Sequence, residues 1–163
     1  MRADILKIVK RVHEIFTDKG LTLSVAESCT GGLISSYLTD LPGASGFFIA
    51  GVVSYSEEAK KGILGVSSAT IRKYGVISAE TAKEMAERMR VMAKTDYALA
   101  TTGNLGPDVL EEKEKGLVYI AASKKGKTIS HELQLKGIRE KNKEDATVSA
   151  LQLLIELSEG RIA

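Results

Sequence analysis

The sequence predicts an α/β protein: a three-layer α/β/α sandwich around a mixed, mostly parallel sheet of about five strands. Three observations lead to this fold class. Apolar, β-prone runs alternate with segments of helical apolar spacing through the first part of the chain. Two later strand-like runs flank the turn Lys124–Lys127, as in a hairpin, which would supply an antiparallel strand. A last helical segment would close a single domain spanning residues 1–163.

The first half of the chain alternates between helices and strands. The first segment carries Ile5, Val9 and Val12 on one helical face, with Lys and Arg on the other. A later apolar run, rich in Val and Ile, predicts a buried strand. The predicted elements are a helix at 2–18, a strand at 21–27, a helix from the turn at Ser28 to about Thr39, and a strand at 47–54.

The second half begins with two helices. Ser78 is a good N-cap for the longer one, whose inner face we expect to pack in the core. That face would comprise Ala82, Met85, Ala86, Met89 and Met92. The predicted elements are helices at 67–74 and 79–93, a strand at 97–101, hairpin strands at 117–123 and 128–135, and a helix at about 141–158. The charged run 111–115 is typical of a solvated loop.

Composition limits the class of protein. A hydrophobic content of 44% and a charged content of 27% are typical of a soluble globular domain. A single cysteine excludes an internal disulfide framework, so we expect a cytoplasmic protein. No apolar run predicts a membrane span. The net charge of +2 and the absence of Trp give no support to a nucleic-acid partner, and no Cys/His cluster predicts a metal site.

The turn after the first strand is the most informative stretch of the chain. It combines small hydroxyl residues, a thiol and two glycines over residues 27–32. A strand that leads into a helix through such a turn leaves free backbone N–H groups beside Ser28 and Thr30. These groups suit an anion or a developing oxyanion. An ordinary helix N-cap explains the same residues equally well.

Two further polar groups follow strand ends: Tyr55 with Lys60, and Thr102. Ligands of open α/β sheets bind outside the carboxyl ends of the strands, so we expect these groups to meet Ser28 at one edge. A serine needs a base, and Lys60 could serve if burial lowered its pKa; a solvated helix residue is the alternative. Cys29 is either a rival nucleophile or a small core residue.

Three blocks resemble the signature motifs of the CinA C-terminal domain family, the competence/damage-inducible proteins: Ala26–Gly32, Val53–Lys60 and Thr102–Pro107. The resemblance runs from about Ile5 to Leu157. It implies a nicotinamide-nucleotide amidohydrolase that converts nicotinamide mononucleotide to nicotinate mononucleotide and ammonia without a cofactor or metal. It also implies a homodimer or higher homo-oligomer.

The resemblance assigns roles to particular residues. It implies Ser28 as nucleophile, Lys60 as base and Tyr55 as their assistant. The candidates for binding the oxyanion and the substrate are Thr30, Gly31, Gly32, Thr102, Gly103 and Arg139. Of these, Thr102–Gly103 and Arg139 are the candidate phosphate anchors, and Arg139 could reach a site across a dimer interface.

The chain departs from the family pattern in two places. Glu57 stands where the family usually has Asn, and the loop at 108–115 lacks the usual glycines and second proline. Two alternatives therefore stay open. One is an amidohydrolase with a different amide substrate, and the other is a catalytically silent nucleotide-binding or regulatory module.

Overall fold

A computed structural model describes residues 1–162. The helices are α1 (Ala3–Asp18), α2 (Leu33–Thr39), α3 (Glu57–Gly62), α4 (Ser68–Tyr74), α5 (Ala79–Ala93) and α6 (Arg139–Ser158), with a short 3-10 turn at Ala44–Gly46. The strands are β1 (Leu23–Glu27), β2 (Phe48–Val53), β3 (Tyr97–Gly103), β4 (Leu117–Lys124) and β5 (Lys127–Gln134). No helix among these residues combines the length and apolar character needed to cross a membrane.

The five strands form one mixed sheet in the order β2-β1-β3-β4-β5. Strands β1, β2 and β3 are parallel, and the β4–β5 hairpin continues the sheet with two antiparallel pairings. Only β4 therefore runs against the other four strands. This confirms the predicted α/β class, with the single reversed strand supplied by the hairpin.

Helices cover both faces of the sheet, and alternate residues of the central strands belong to different cores. On β3, Leu99 packs in the core formed with α1, α2 and α6. Its neighbours Ala98 and Ala100 pack in the core formed with α4 and α5. Small alanines on that face let α5 approach the sheet closely, and the three layers of the predicted sandwich result.

Two expectations about burial are wrong. Strand β2 is an edge strand rather than a fully buried one, and Ile49 and Val53 are exposed on it. Its apolar composition gave no information about strand order, which depends on pairings with distant segments. On α5, Met92 is 46% exposed, whereas Met89 is 1% exposed, so the inner face ends one turn earlier than expected.

The two methionines provide a matched test of this core. We expect Met89→Ala to lower the free energy of unfolding by about 2–5 kcal/mol, because it leaves a cavity between α5 and the sheet. Met92→Ala should change it by less than about 0.5 kcal/mol. Urea denaturation measures both. Equal losses in the two variants would contradict the packing described for α5.

Candidate active site

A cavity of about 700 Å³ opens where the sequence places its polar groups, at the carboxyl ends of β1, β2 and β3. The loop between β3 and β4 forms its opposite wall. Of the predicted site residues, Ser28, Lys60, Tyr55, Thr102, Gly103 and Arg139 line the cavity. Thr30, Gly31 and Gly32 do not.

Ser28 and Lys60 are in direct contact at the floor of the cavity. Lys60 Nζ lies 3.0 Å from Ser28 Oγ. It also donates hydrogen bonds to the backbone carbonyls of Ser54, at 3.1 Å, and Tyr55, at 3.2 Å. A neutral amine has two N–H groups, and the two carbonyls can accept both of them. The nitrogen lone pair would then face the Ser28 hydroxyl.

Lys60 reaches this position because of its place in α3. Ser56 caps the helix by accepting from the N–H of Ala59, and Lys60 lies in the turn that follows. Helical side chains lean toward the helix N-terminus, which directs Lys60 back over Ser54 and Tyr55. The side chain is buried, with 2% of the residue exposed. Lys60 is therefore not a solvated helix residue.

Burial lowers the pKa of Lys60 below the usual value of a lysine. The thiolate form of Cys29 and the carboxylates of Glu111 and Glu57 oppose this shift, because negative charge nearby favours the ammonium form. Within residues 1–162, Lys60 makes no salt bridge. A carboxylate partner would hold the proton on the amine, so the surroundings favour a lysine that can act as a base.

The buried carboxylate of Glu27 occupies the start of α2. It accepts hydrogen bonds from the N–H groups of Ile34 and Ser35, both at 3.0 Å. It also accepts from the hydroxyls of Thr30, at 2.6 Å, and Ser35, at 2.7 Å. The helix N-terminus that was expected to bind an anion is thus filled by the protein's own carboxylate. No Ser or Thr caps α2 either, since Gly32 occupies the N-cap position.

This arrangement changes which groups of the turn are available. Gly31 N–H donates to the carbonyl of Ser28, at 2.9 Å, so it does not face a ligand. The Thr30 hydroxyl is buried between Glu27 and Thr101. Within residues 1–162, the N–H groups of Cys29 and Thr30 make no hydrogen bond. Gly32 N–H makes none either in the described part of the chain, and of these three residues only Cys29 lines the cavity.

Tyr55 contributes its backbone rather than its hydroxyl to the Ser28–Lys60 pair. Its side chain is 59% exposed, and its hydroxyl accepts a hydrogen bond from Arg139 Nη2, at 3.0 Å. Arg139 Nη1 donates to the carbonyl of Gly106, at 2.7 Å. Arg139 therefore lies at the rim of the cavity, bridging the segment after β2 and the loop after β3.

Thr102 and Gly103 form part of the cavity wall in different ways. The Thr102 hydroxyl donates to the carbonyl of Val76, at 2.8 Å, and so ties β3 to the segment before α5. Gly103 has no room for a side chain, because a Cβ there would lie 2.6 Å from the carbonyl oxygen of Leu117. Both residues lie at the expected edge, and their contacts are with neighbouring strands and loops.

Cys29 is adjacent to Ser28, but its chemistry differs from the expectation for a helix N-terminus. Burial raises the pKa of its thiol to about 11, and a hydrogen bond with Thr101 and the charge of Lys60 offset only part of that. The thiolate is the reactive form of cysteine, so Cys29 is a poor nucleophile near neutral pH. Its burial assigns it to the core.

The loop between β3 and β4 is held by two residues that the sequence analysis did not single out. Asn104 is buried, and its amide bonds the carbonyls of Leu110 and Lys113 and the N–H of Leu110. Glu111 accepts from the N–H groups of Val76, at 2.8 Å, and Ile77, at 3.0 Å. The charged run is therefore partly engaged in hydrogen bonds, rather than a simple solvated loop.

Glu111 acts as an anchor for this loop. Burial raises the pKa of its carboxyl, but the hydrogen bonds from Ile77 and Val76 and the ion pair with Lys113 outweigh it, so the net pKa is lowered. Gly75 makes room for it, since a Cβ there would lie 2.6 Å from both carboxylate oxygens. A glutamate that reaches backbone N–H groups of a distant turn leaves no sequence pattern by which to find it.

The sequence profile of the family described as CinA C-terminal domain matches residues 5–158. The chain belongs to the CinA C-terminal domain family. Among residues 1–162, no group of three or more His, Cys, Asp or Glu side chains is arranged to hold a metal ion.

Relatives of this CinA domain carry provisional names. It is 45% identical over 151 residues to a provisionally named competence-damage inducible protein of Caldanaerobacter subterraneus, covering 92% of this chain and 37% of that protein. It is 46% identical over 142 residues to a protein of the same name in Acetivibrio thermocellus, covering 86% and 34%. The chain spans about a third of the length of these relatives.

Solved structures share the whole fold. A competence/damage inducible protein from Agrobacterium tumefaciens superposes with a TM-score of 0.93 at 36% identity, covering 96% of this chain and 97% of that one. A CinA superfamily protein from Escherichia coli gives 0.92 at 31% identity, covering 96% and 92%. These two structures show the CinA domain fold in chains of about the same length as this one.

Glu27 offers a test of how the Ser28 turn is built. We expect Glu27→Gln to lower the free energy of unfolding by about 1–3 kcal/mol, because the amide NH2 would face the N–H donors that the carboxylate now satisfies. Glu14→Gln, at an exposed site on α1, is the matched control. If chemical denaturation gave both variants the stability of the parent, the carboxylate would not hold the turn.

Proposed function

We propose that this domain is a serine amidohydrolase in which Ser28 is the nucleophile and Lys60 the base. The contact between Lys60 Nζ and Ser28 Oγ, at 3.0 Å, carries the proposal. A serine–lysine pair is an established variant of the nucleophile–base arrangement. The burial of Lys60, and the lowered pKa that follows from it, support the role of base.

The proposed reaction proceeds through an acyl-enzyme. Lys60 removes the proton of the Ser28 hydroxyl as Oγ attacks the carboxamide carbon. The resulting ammonium of Lys60 returns that proton to the leaving nitrogen, and ammonia departs. A water molecule, deprotonated by Lys60, then cleaves the ester and releases the carboxylic acid. Tyr55 assists through its carbonyl oxygen, which holds the Lys60 amine, and its hydroxyl is paired with Arg139.

The free N–H group of Cys29 is our candidate donor to the oxyanion, because Cys29 lines the cavity whereas Thr30 is fully buried and does not. It follows Ser28 directly, on a turn in which Gly31 N–H donates to the Ser28 carbonyl and the N–H groups of Ile34 and Ser35 donate to Glu27. Such donors typically contribute ~10²–10³ to the rate each. Within this arrangement, Gly31 and Gly32 shape the turn through their positive φ angles of 59° and 100°.

The substrate that the family resemblance implies is nicotinamide mononucleotide, and the cavity has features that suit it. Val76, Ile77 and Leu105 give it an apolar wall for a flat ring. Arg139 is a cation at the rim that could bind the phosphate. Thr102 and Gly103 complete the wall beside the ring. No cofactor is required by this chemistry.

We also propose that this chain forms the homo-oligomer that the family resemblance implies. Strand β2 is an open edge of the sheet, with Ile49 and Val53 exposed. An open edge with exposed apolar side chains supports association with a second chain.

A different amide substrate is the second candidate, and the loop at 108–115 favours it specifically. Val109 and Leu110 line the cavity where the family usually has glycines. Their side chains narrow the space that a glycine-rich loop would leave to the ligand. A silent binding module is the remaining alternative, and it predicts ligand binding without release of product.

The reaction is tested by ammonia release from nicotinamide mononucleotide. We expect Ser28→Ala and Lys60→Ala each to lower turnover by about 10⁴-fold or more, because each removes one member of the reacting pair. Cys29→Ala and Lys61→Ala are the neighbouring controls and should retain activity. Binding without turnover in the parent protein would favour the silent module. Turnover that survives in Ser28→Ala would refute the proposed nucleophile.

The pH dependence of kcat/KM tests Lys60 separately. A base must be unprotonated, so activity should rise with pH through the lowered pKa of Lys60. Glu57 raises that pKa by its charge. Glu57→Gln should therefore move the rising limb to lower pH. Glu87→Gln, a remote exposed acid on α5, should leave the limb in place, and an unmoved limb in Glu57→Gln would contradict the assignment.

A further inference from the structure

Strand β3 carries a buried hydroxyl that the proposed reaction has not yet used. Thr101 is 0% exposed, and it is not one of the residues that line the cavity. Alternate residues of a strand share a face, so Thr101 lies on the same side of the sheet as Leu99. A buried hydroxyl without a hydrogen-bond partner is costly, and the partners of Thr101 therefore indicate its role.

Thr101 contacts two residues of the turn that carries Ser28. Its Oγ1 accepts a hydrogen bond from the Ser28 N–H, at 3.3 Å, and lies 2.9 Å from the hydroxyl oxygen of Thr30. The Ser28 N–H also donates to the Thr101 carbonyl, at 3.1 Å, so two acceptors share this donor. One side chain of β3 thus contacts the residues on either side of Cys29, whose N–H is the candidate oxyanion donor.

The chemistry of these groups determines the direction of the hydrogen bonds. A carboxylate can only accept, so Thr30 donates its one hydroxyl proton to Glu27, at 2.6 Å. Thr30 then offers only lone pairs to Thr101, and the Thr101 hydroxyl donates to it. The Thr101 oxygen is left as an acceptor for the Ser28 N–H. The bonds therefore run in one direction, from Ser28 through Thr101 and Thr30 to the Glu27 carboxylate.

A valine would fit this position of the strand, because it has nearly the shape of threonine and is favoured in strands. It would offer no side-chain acceptor to Ser28 and no donor to Thr30. The Ser28 N–H would keep its bond to the carbonyl of residue 101, and Glu27 would keep its bonds to the start of α2. The pairing of the strands therefore does not depend on the Thr101 hydroxyl, whereas the placement of residues 28–30 does.

We propose that Thr101 is a positioning residue that holds the nucleophile and the oxyanion donor in place. This rests on the proposed amidohydrolase function, in which Ser28 Oγ attacks and the Cys29 N–H binds the oxyanion. Thr101 acts through Ser28 and Thr30 and does not itself reach the cavity. A misplacement of about 1 Å at a reacting group can cost about 10²-fold in rate.

Two variants of Thr101 test this role through kcat and KM for ammonia release from nicotinamide mononucleotide. We expect Thr101→Val to lower kcat by about 10- to 100-fold, because the nucleophile and the oxyanion donor lose their side-chain support. KM should change by less than about threefold, since no group that binds the ground state is removed. Thr101→Ser keeps a hydroxyl at this position and should recover most of kcat.

Thr95→Val is the matched control. The Thr95 hydroxyl is also buried, and it pairs with the hydroxyl of Ser24, at 2.7 Å, near the amino ends of β1 and β3. Loss of this pair affects stability far from the cavity, so kcat should stay at the value of the parent protein. An unchanged kcat in Thr101→Val, an equal loss in Thr95→Val, or no recovery in Thr101→Ser would overturn the proposal.

Covalent labelling of Ser28 measures the same role without an amide substrate. An activated serine reacts with a fluorophosphonate when its Oγ displaces fluoride from phosphorus, and mass spectrometry locates the label. The rate of labelling at Ser28 should fall in Thr101→Val and recover in Thr101→Ser. Thr95→Val should be labelled at the rate of the parent protein.

The two measurements separate this proposal from the reaction itself. Labelling that depends on the Thr101 hydroxyl, in a protein that releases no ammonia, would refute the amidohydrolase and leave the role of Thr101 standing. Ammonia release that requires Ser28 but is unchanged in Thr101→Val would support the reaction and refute the role of Thr101. A parent protein in which Ser28 is neither labelled nor needed for ammonia release would overturn both.

Discussion

The burial of the Lys60 amine is the constraint on which this sheet edge depends. Lysine is rarely fully buried without a carboxylate partner, because an ammonium loses its hydration there. Here two backbone carbonyls and one hydroxyl take the place of water. The chain must therefore place the end of β2, the start of α3 and the turn after β1 together. The contact between Lys60 Nζ and Ser28 Oγ follows from that convergence.

Neutral acceptors and a carboxylate would have opposite chemical consequences for this amine. Carbonyl oxygens orient the nitrogen at a modest electrostatic gain, so desolvation dominates and the pKa falls. Glu27, the one buried carboxylate among residues 1–162, instead accepts hydrogen bonds from the N-terminus of α2. Its charge complements the helix dipole, and its oxygens satisfy groups of the adjoining turn. Glu27 therefore stabilises the Ser28 turn without forming an ion pair with Lys60.

The sequence was informative wherever the determining signal was local. Three elements were identified from local signals: α1 from its apolar periodicity, α5 from the Ser78 cap, and the β4–β5 hairpin from the turn Lys124–Lys127. Such signals are informative because backbone geometry and burial depend on residues that are close in sequence. The meeting of Ser28 with Lys60 was predictable from the rule that ligand groups follow strand carboxyl ends. The exposure of β2 was not, since strand order depends on distant pairings.

The residues that sequence reasoning missed share one property. All three form hydrogen bonds with backbone groups: Glu27 with the start of α2, Asn104 with the loop between β3 and β4, and Glu111 with the segment before α5. The amino-acid sequence does not show that these backbone groups lie within reach. Glu and Asn are common residue types at protein surfaces, so residue type alone does not distinguish these three residues from solvent-exposed ones. The motif resemblance includes Glu27 in its first block but gives no information about the groups that donate hydrogen bonds to it. Only the three-dimensional path of the backbone reveals where those hydrogen bonds go.

The groups proposed for the reaction and for substrate recognition lie on different segments of this domain. The Ser28–Lys60 contact is made by the segments after β1 and β2, whereas the opposite wall belongs to the loop after β3. That loop is anchored through Asn104 and Glu111 to backbone groups and not to the reacting pair. Substitutions between the anchors, such as those that place Asp108 and Val109 in the wall, can therefore alter the ligand while the Ser28–Lys60 geometry is preserved. Under the proposed function, the departure of this loop from the family pattern would change the choice of substrate, and the Ser28–Lys60 pair would set the class of reaction.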